Sequence, residues 1–168
     1  VLYNSAGWVY YCLGDYQTSL TYQDRALELD PKLPRAFSVK MLVNLELGKP
    51  DLAIKDAQDA LAASGNGIEY RAWLAYAYGR VGKKQEGEKI LKELLELSEK
   101  QYVAPVLLAY IYTGFGNKDK AFEWLETVYN NRSGDIILLR IDPIWKPLRN
   151  DPRFAALAKK VGIPEGNN

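Results

Sequence analysis

A glycine that ends an apolar run and precedes a polar residue stands at positions 14, 48, 82 and 116, in CLGDYQTSL, ELGKPDLAI, RVGKKQEGE and GFGNKDKAF. The interval is 34 residues each time. Such regularity means one supersecondary unit used repeatedly, not one aperiodic core. Other columns keep the phase. Five residues after the glycine come Ser19, Ala53, Gly87 and Ala121, all small. Seven before it come Gly7, Met41, Ala75 and Ala109, and four before it Tyr10, Asn44, Tyr78 and Tyr112. The pattern predicts a pair of helices per unit. Glycine supplies the left-handed backbone at the turn, small residues allow a close helix crossing, and aromatics fill the space between hairpins. One hairpin cannot bury its apolar face, so neighbours must stack.

The segment YNSAGWVYYCLGDYQTSLTYQDRALELDP, with Tyr3, Gly7, Tyr10, Gly14, Asp15, Tyr16, Ala26 and Pro31 in place, resembles the tetratricopeptide repeat (TPR). The second unit keeps Phe37, Gly48, Ala53 and Ala60. The third keeps Leu74, Ala75, Tyr78 and Gly82, and the fourth keeps Leu108, Ala109, Tyr112, Gly116 and Ala121. The closing proline survives only in the first. The resemblance covers residues 1–134. It implies an all-α, right-handed superhelical solenoid of antiparallel helix hairpins (an α-α superhelix), with repeats at 1–33, 34–67, 68–101 and 102–134. It also implies a role in binding proteins. Some members of that family clamp a partner's terminal carboxylate with groove lysine, asparagine and arginine. Here Asn4 is present, but Trp8 and Leu42 replace the polar partners, which argues against a clamp.

A further 34 residues lead from Gly116 to Asn150, in LRNDPRFAAL. The tail, 135–168, therefore reads as a degenerate fifth unit acting as a C-terminal cap. Asn150 is expected in the left-handed conformation, which asparagine tolerates next best after glycine. Asp151 caps a helix, Pro152 opens it, Gly162 stops it, and Phe154, Leu157, Ala158 and Val161 form its apolar face. Upstream, Pro143 and Pro147 forbid one continuous helix, leaving a short piece at 136–140 and a single turn at 143–148. Ile137, Leu139, Trp145 and Phe154 are expected to cover the fourth repeat. The ending also resembles the segment closing repeat arrays in bacterial multidomain regulators. With a start inside a helical pattern, this suggests a piece of a longer protein.

The chemistry available is restricted. There is no histidine and a single cysteine, Cys12, so histidine-activated nucleophiles, histidine zinc sites and intrachain disulfides are excluded. The expectation is no enzyme, no cofactor and no metal site. Basic and acidic residues number 22 and 21, for a net charge of +1, which disfavours a nucleic-acid surface. No apolar run reaches the roughly 18 residues of a membrane span, and no signal peptide stands out. Cytoplasm is the default location, with the periplasm open. The segment KKQEGEKILKELLELSEK reads as a solvated helix face with Glu88–Lys92 and Glu96–Lys100 pairs.

Helix A of each unit should line the concave face. One residue per repeat gives the stripe Trp8, Leu42, Tyr76 and Tyr110. Tyr11 stands beside it, and Arg35, Glu69 and Arg80 set polarity at the rim. The functional reading is a groove binding a peptide or partner segment, which includes the protein's own upstream domain. The structural reading is that these rings are core, since helical spacing produces both. A self-association (homo-oligomer) module is the alternative function, and an enzyme is the remote third.

Overall fold

The computed structural model describes residues 2–163. Val1, the outer bound of the first repeat, and residues 164–168 of the tail lie outside the described residues. Among the described residues there are nine α-helices and two 3-10 helices, and no strand. Four hairpins come first: α1 (Leu2–Leu13) with α2 (Tyr16–Leu29), α3 (Pro34–Glu46) with α4 (Pro50–Ala63), α5 (Ile68–Arg80) with α6 (Lys84–Ser98), and α7 (Pro105–Gly114) with α8 (Lys118–Asn130). The tail is a 3-10 helix at Gly134–Leu138, another at Pro143–Leu148, and α9 (Pro152–Val161). Each helix packs on the next in sequence, and α1, α3, α5 and α7 also pack side by side. The result is a helical solenoid.

The four turn glycines all have positive φ: 80°, 66°, 81° and 71° at Gly14, Gly48, Gly82 and Gly116. One hydrogen-bond pattern recurs at each. The residue after the glycine donates to the carbonyl five back, Asp15 to Tyr10, Lys49 to Asn44, Lys83 to Tyr78 and Asn117 to Tyr112, all at 2.9 Å. That is the six-to-one bond of a helix stop that requires a left-handed residue. The following helix is signalled locally. Asp15 and Asn117 cap with side-chain oxygens, and Pro34, Pro50, Pro105 and Pro152 occupy first-turn positions.

The small-residue columns have a steric cause. Ser19, Ala53, Gly87 and Ala121 are all buried, as are Gly7, Met41, Ala75 and Ala109. A Cβ added at Gly87 would lie 3.0 Å from the Ala75 carbonyl and 2.7 Å from the Phe115 ring. In the first hairpin the Ser19 hydroxyl donates to the Gly7 carbonyl at 2.8 Å. In the second, Asn44 takes the aromatic's place and donates to buried Asp56 at 2.7 Å. On α6 the expected Glu88–Lys92 and Glu96–Lys100 pairs are not the ones formed. Lys84–Glu88 (3.7 Å) and Lys92–Glu96 (3.9 Å) form instead; Lys100 lies beyond the helix end, which leaves Glu96 to Lys92. All are exposed pairs of small worth.

The tail departs from the sequence reading in two places. Asn150 is absent from the positive-φ residues. No α-helix precedes it, so there is no left-handed stop to make; Asp151 N donates to the Leu148 carbonyl and its side chain caps α9. Ile137 is 63% exposed, whereas Ile136 and Leu139 are buried. In a 3-10 helix the side chains at i and i+3 eclipse, which turns Ile136 and Leu139 inward and Ile137 out. Leu139, Trp145 and Phe154 are buried. The first 3-10 helix and α9 pack on α8, and the second 3-10 helix packs on α7.

Candidate functional site

The wall formed by α1, α3, α5 and α7 is the surface on which the sequence places its stripe. The second 3-10 helix of the tail lies across the C-terminal halves of these helices and divides the wall in two. Its Lys146 ammonium donates to Glu46 at the end of α3 (3.2 Å) and to the Tyr16 hydroxyl at the start of α2 (3.3 Å), 130 residues away in sequence. The tail is therefore more than an end cover for the fourth hairpin. It runs back along the groove to the first.

Under the tail lies a polar cluster. Glu46 accepts from Arg80 (3.3 Å), from Tyr16 (3.3 Å) and from Lys146. Arg80 also donates to the Tyr76 hydroxyl at 2.6 Å. Tyr76 is fully buried and Tyr11 is 1% exposed. Burial pushes the Tyr76 hydroxyl up to about 12, with Arg80 opposing, and raises that of Tyr11 further still. The Cys12 thiol is pushed up to about 12, first by burial and then by Asp142, so it stays protonated at neutral pH. Tyr11 and Tyr76 are thus corrected from partner-facing groups to interior ones, whereas Arg80 stays partly exposed and is engaged by Glu46 and Tyr76. The physical reason is packing between helices: Tyr76 lies against Gly114 of α7 and Trp73, and Tyr11 against Tyr16.

Along the N-terminal halves of the same helices an open cleft remains, with a volume of about 800 Å³. Trp8, Leu42 and Tyr110 of the stripe line it, with Arg35 and Glu69 exposed at its edge. The structure brings these five together and separates them from the other three. Among the lining residues that the sequence did not single out, Trp73 and Asp142 matter most. Trp73 stacks on Tyr110 with ring centroids 4.7 Å apart, and Tyr110 in turn meets Trp145 of the tail at 5.0 Å. Ser5, Val39, Trp73 and Leu107 all line the cleft and repeat at the same 34-residue interval, so the signal for Trp73 was available. Asp142, contributed by the tail, had no such signal.

Asp142 is 6% exposed and Oδ1 accepts from Ile144 N at 3.0 Å. Its carboxyl is raised to about 6, by burial above all, with the Ile144 hydrogen bond and Arg149 opposing. The Tyr110 hydroxyl is raised by burial and then by the negative charges of Asp142, Asp135 and Glu69.

Comparison with known proteins agrees with this architecture. Models of the tetratricopeptide repeat match residues 1–33 and 68–101. These matches and the hairpin architecture support a tetratricopeptide-repeat assignment. It is also similar to Protein FlbA of Caulobacter vibrioides, with 30% identity over 92 residues. That match takes in 51% of this chain and 15% of the Caulobacter protein's length. Tetratricopeptide repeats generally mediate protein–protein interaction and are typically non-catalytic scaffolds. Among the described residues no helix is long and apolar enough to cross a membrane.

Proposed function

We propose that this chain is a protein-binding module that takes an apolar segment of a partner in the open cleft between α1, α3, α5 and α7. The observation that carries the reading is the cleft itself. A pocket of about 800 Å³ walled by Trp8, Trp73 and Tyr110 is large enough for several side chains. Rigid aromatic surface of this kind anchors partners at low entropic cost. The tail supports the reading because it shortens the groove to a bounded site. The same tail closes the fourth hairpin and so serves as the array's C-terminal cap.

The test is selection of linear peptides from a random library against the 168-residue chain, followed by titration. Enriched peptides should lose affinity about tenfold or more with Trp8→Ala or Tyr102→Ala, both at the cleft, and keep it with Lys89→Ala on α6. Binding indifferent to the cleft variants, or no enrichment at all, defeats the reading.

A second reading rests on α1. Leu2 and Leu13 are 86% and 75% exposed on the outer helix of the array. That face supports self-association between copies. Light scattering across a concentration series, with Leu2→Ser/Leu13→Ser as the control, decides it. A mass that does not depend on concentration removes it.

A further inference from the structure

The charges around the cleft are unequal. Glu69, Asp135 and Asp142 line it, against Arg35 alone among basic side chains. Arg35 does not offset them where it matters. It is exposed at the edge of the cleft, whereas Asp142 is buried beside the aromatic wall. Asp142 is the deepest of the three. Its side chain is more than nine-tenths buried, and its one hydrogen bond among the described residues is at Oδ1. Oδ2 takes none. The cation near it, Arg149, lines a separate pocket behind the tail and donates instead to the carbonyls of Arg140 (2.8 Å) and Asp142 (3.2 Å). A carboxylate with so little exposure and one oxygen still open is a strong partner for a cation that enters the cleft. Among the described residues no group of three or more acidic, cysteine or histidine side chains is placed to hold a metal ion.

Resting on the reading of the cleft as a peptide site, we propose that its occupant presents an arginine side chain, whose guanidinium lies against the Trp73–Tyr110 wall and pairs with Asp142. Arginine fits better than lysine. Its flat, weakly hydrated cation stacks on aromatic faces and loses less on leaving water, and its several N–H donors can reach a carboxylate oxygen while stacked. Apolar neighbours of that arginine would fill the remainder of the cleft, against Leu42, Val39 and Trp8. Specificity then comes from the tail, because Asp142 and Asp135 belong to it and the four hairpins alone supply only Glu69.

The experiment uses three synthetic peptide pools with apolar-biased flanks, identical except for a fixed central arginine, lysine or glutamate. Binding to the full chain is titrated by tryptophan fluorescence. The arginine pool should bind about tenfold or more tighter than the glutamate pool, with lysine between them. Asp142→Asn keeps the oxygen that accepts from Ile144 and should cut the preference to about threefold or less. Glu69→Lys, at an exposed helix position, should also narrow it without touching the fold. Higher salt should narrow it in the wild type. If all pools bind equally and neither variant matters, the arginine inference is overturned while the peptide cleft stands. If the lysine pool binds best, the stacked guanidinium is wrong. If no pool binds, the reading of the cleft falls, and this inference with it.

Discussion

Gly48 shows what the repeat demands of a single residue. It holds φ at 66°, and a Cβ built there would meet nothing within 4 Å. Any cost of substitution is therefore backbone strain alone. Gly48→Val should destabilise the chain by about 1–2 kcal/mol, and Gly48→Asn by less, as read from urea midpoints. Equal midpoints would contradict the turn. Asp142 makes the opposite case, a side chain that opposes folding at neutral pH. Its carboxyl moves from 3.8 to about 6 on folding, because burial disfavours the charge. The folded state thus holds the proton more tightly. Its contribution is fully present below pH 4, is lost as pH rises through about 6, and stays lost above that. The hydroxyls and thiol facing it, Tyr11, Cys12, Tyr76 and Tyr110, are all raised well above that window, and the Arg149 charge only opposes the shift. Asp142→Asn should therefore be more stable than the wild type at pH 7, by on the order of 1–3 kcal/mol, and nearly equal to it at pH 4. Denaturation at the two pH values checks it. Reduced stability at pH 7 would mean that the carboxylate already has a favourable partner.

At the scale of elements, the hairpins were legible and the tail only partly so, for one physical reason. A helix stop at Gly82 or a cap at Asn117 is decided by a few neighbouring residues, so its signal is local and recurs in phase. The choice between Ile136 and Ile137 as the inward residue depends on 3-10 rather than extended geometry, which two nearby prolines restrict but do not specify. Nor does local sequence say where the second 3-10 helix docks, although it carries much of the tail's buried surface. Ile144, Trp145 and Leu148 are at most 2% exposed. Trp145→Ala should cost about 3–5 kcal/mol, since it removes the ring facing Tyr110 and leaves a cavity. Lys146→Ala should cost about 1 kcal/mol or less, because that side chain is half exposed. Glu46→Ala should cost more than Lys146→Ala, leaving Arg80 and Tyr16 under the tail without their acceptor. Thermal melts of the three variants rank them. A Lys146→Ala loss as large as that of Trp145→Ala would make the ion pair, not the packing, the tie.

For the whole molecule, the question is how far the tail's influence extends. In a solenoid each unit contacts its neighbours only, so a simple end cap should stabilise the last hairpin and little else. This tail does more. Trp145 sits on Tyr110 of α7, while Lys146 reaches Glu46 of α3 and Tyr16 of α2. It ties the fourth hairpin to the first and second, which are not its neighbours in the array. Packing between distant residues is also why the covered half of the groove escaped the sequence. Tyr11 and Tyr76 have the spacing of exposed stripe residues, and local sequence does not reveal that Tyr76 packs against Gly114 of α7. Deleting residues 141–168 tests the bridging by hydrogen exchange. The hairpin α7–α8 should lose protection whether the tail is a cap or a bridge. The distinguishing amides are those around Tyr11 and Glu46, in helices that an end cap does not contact. They should exchange faster in the truncated chain, and the same change should appear, weaker, in Trp145→Ala. Protection lost from α7–α8 alone would reduce the tail to a cap and leave the groove's first half independent of it.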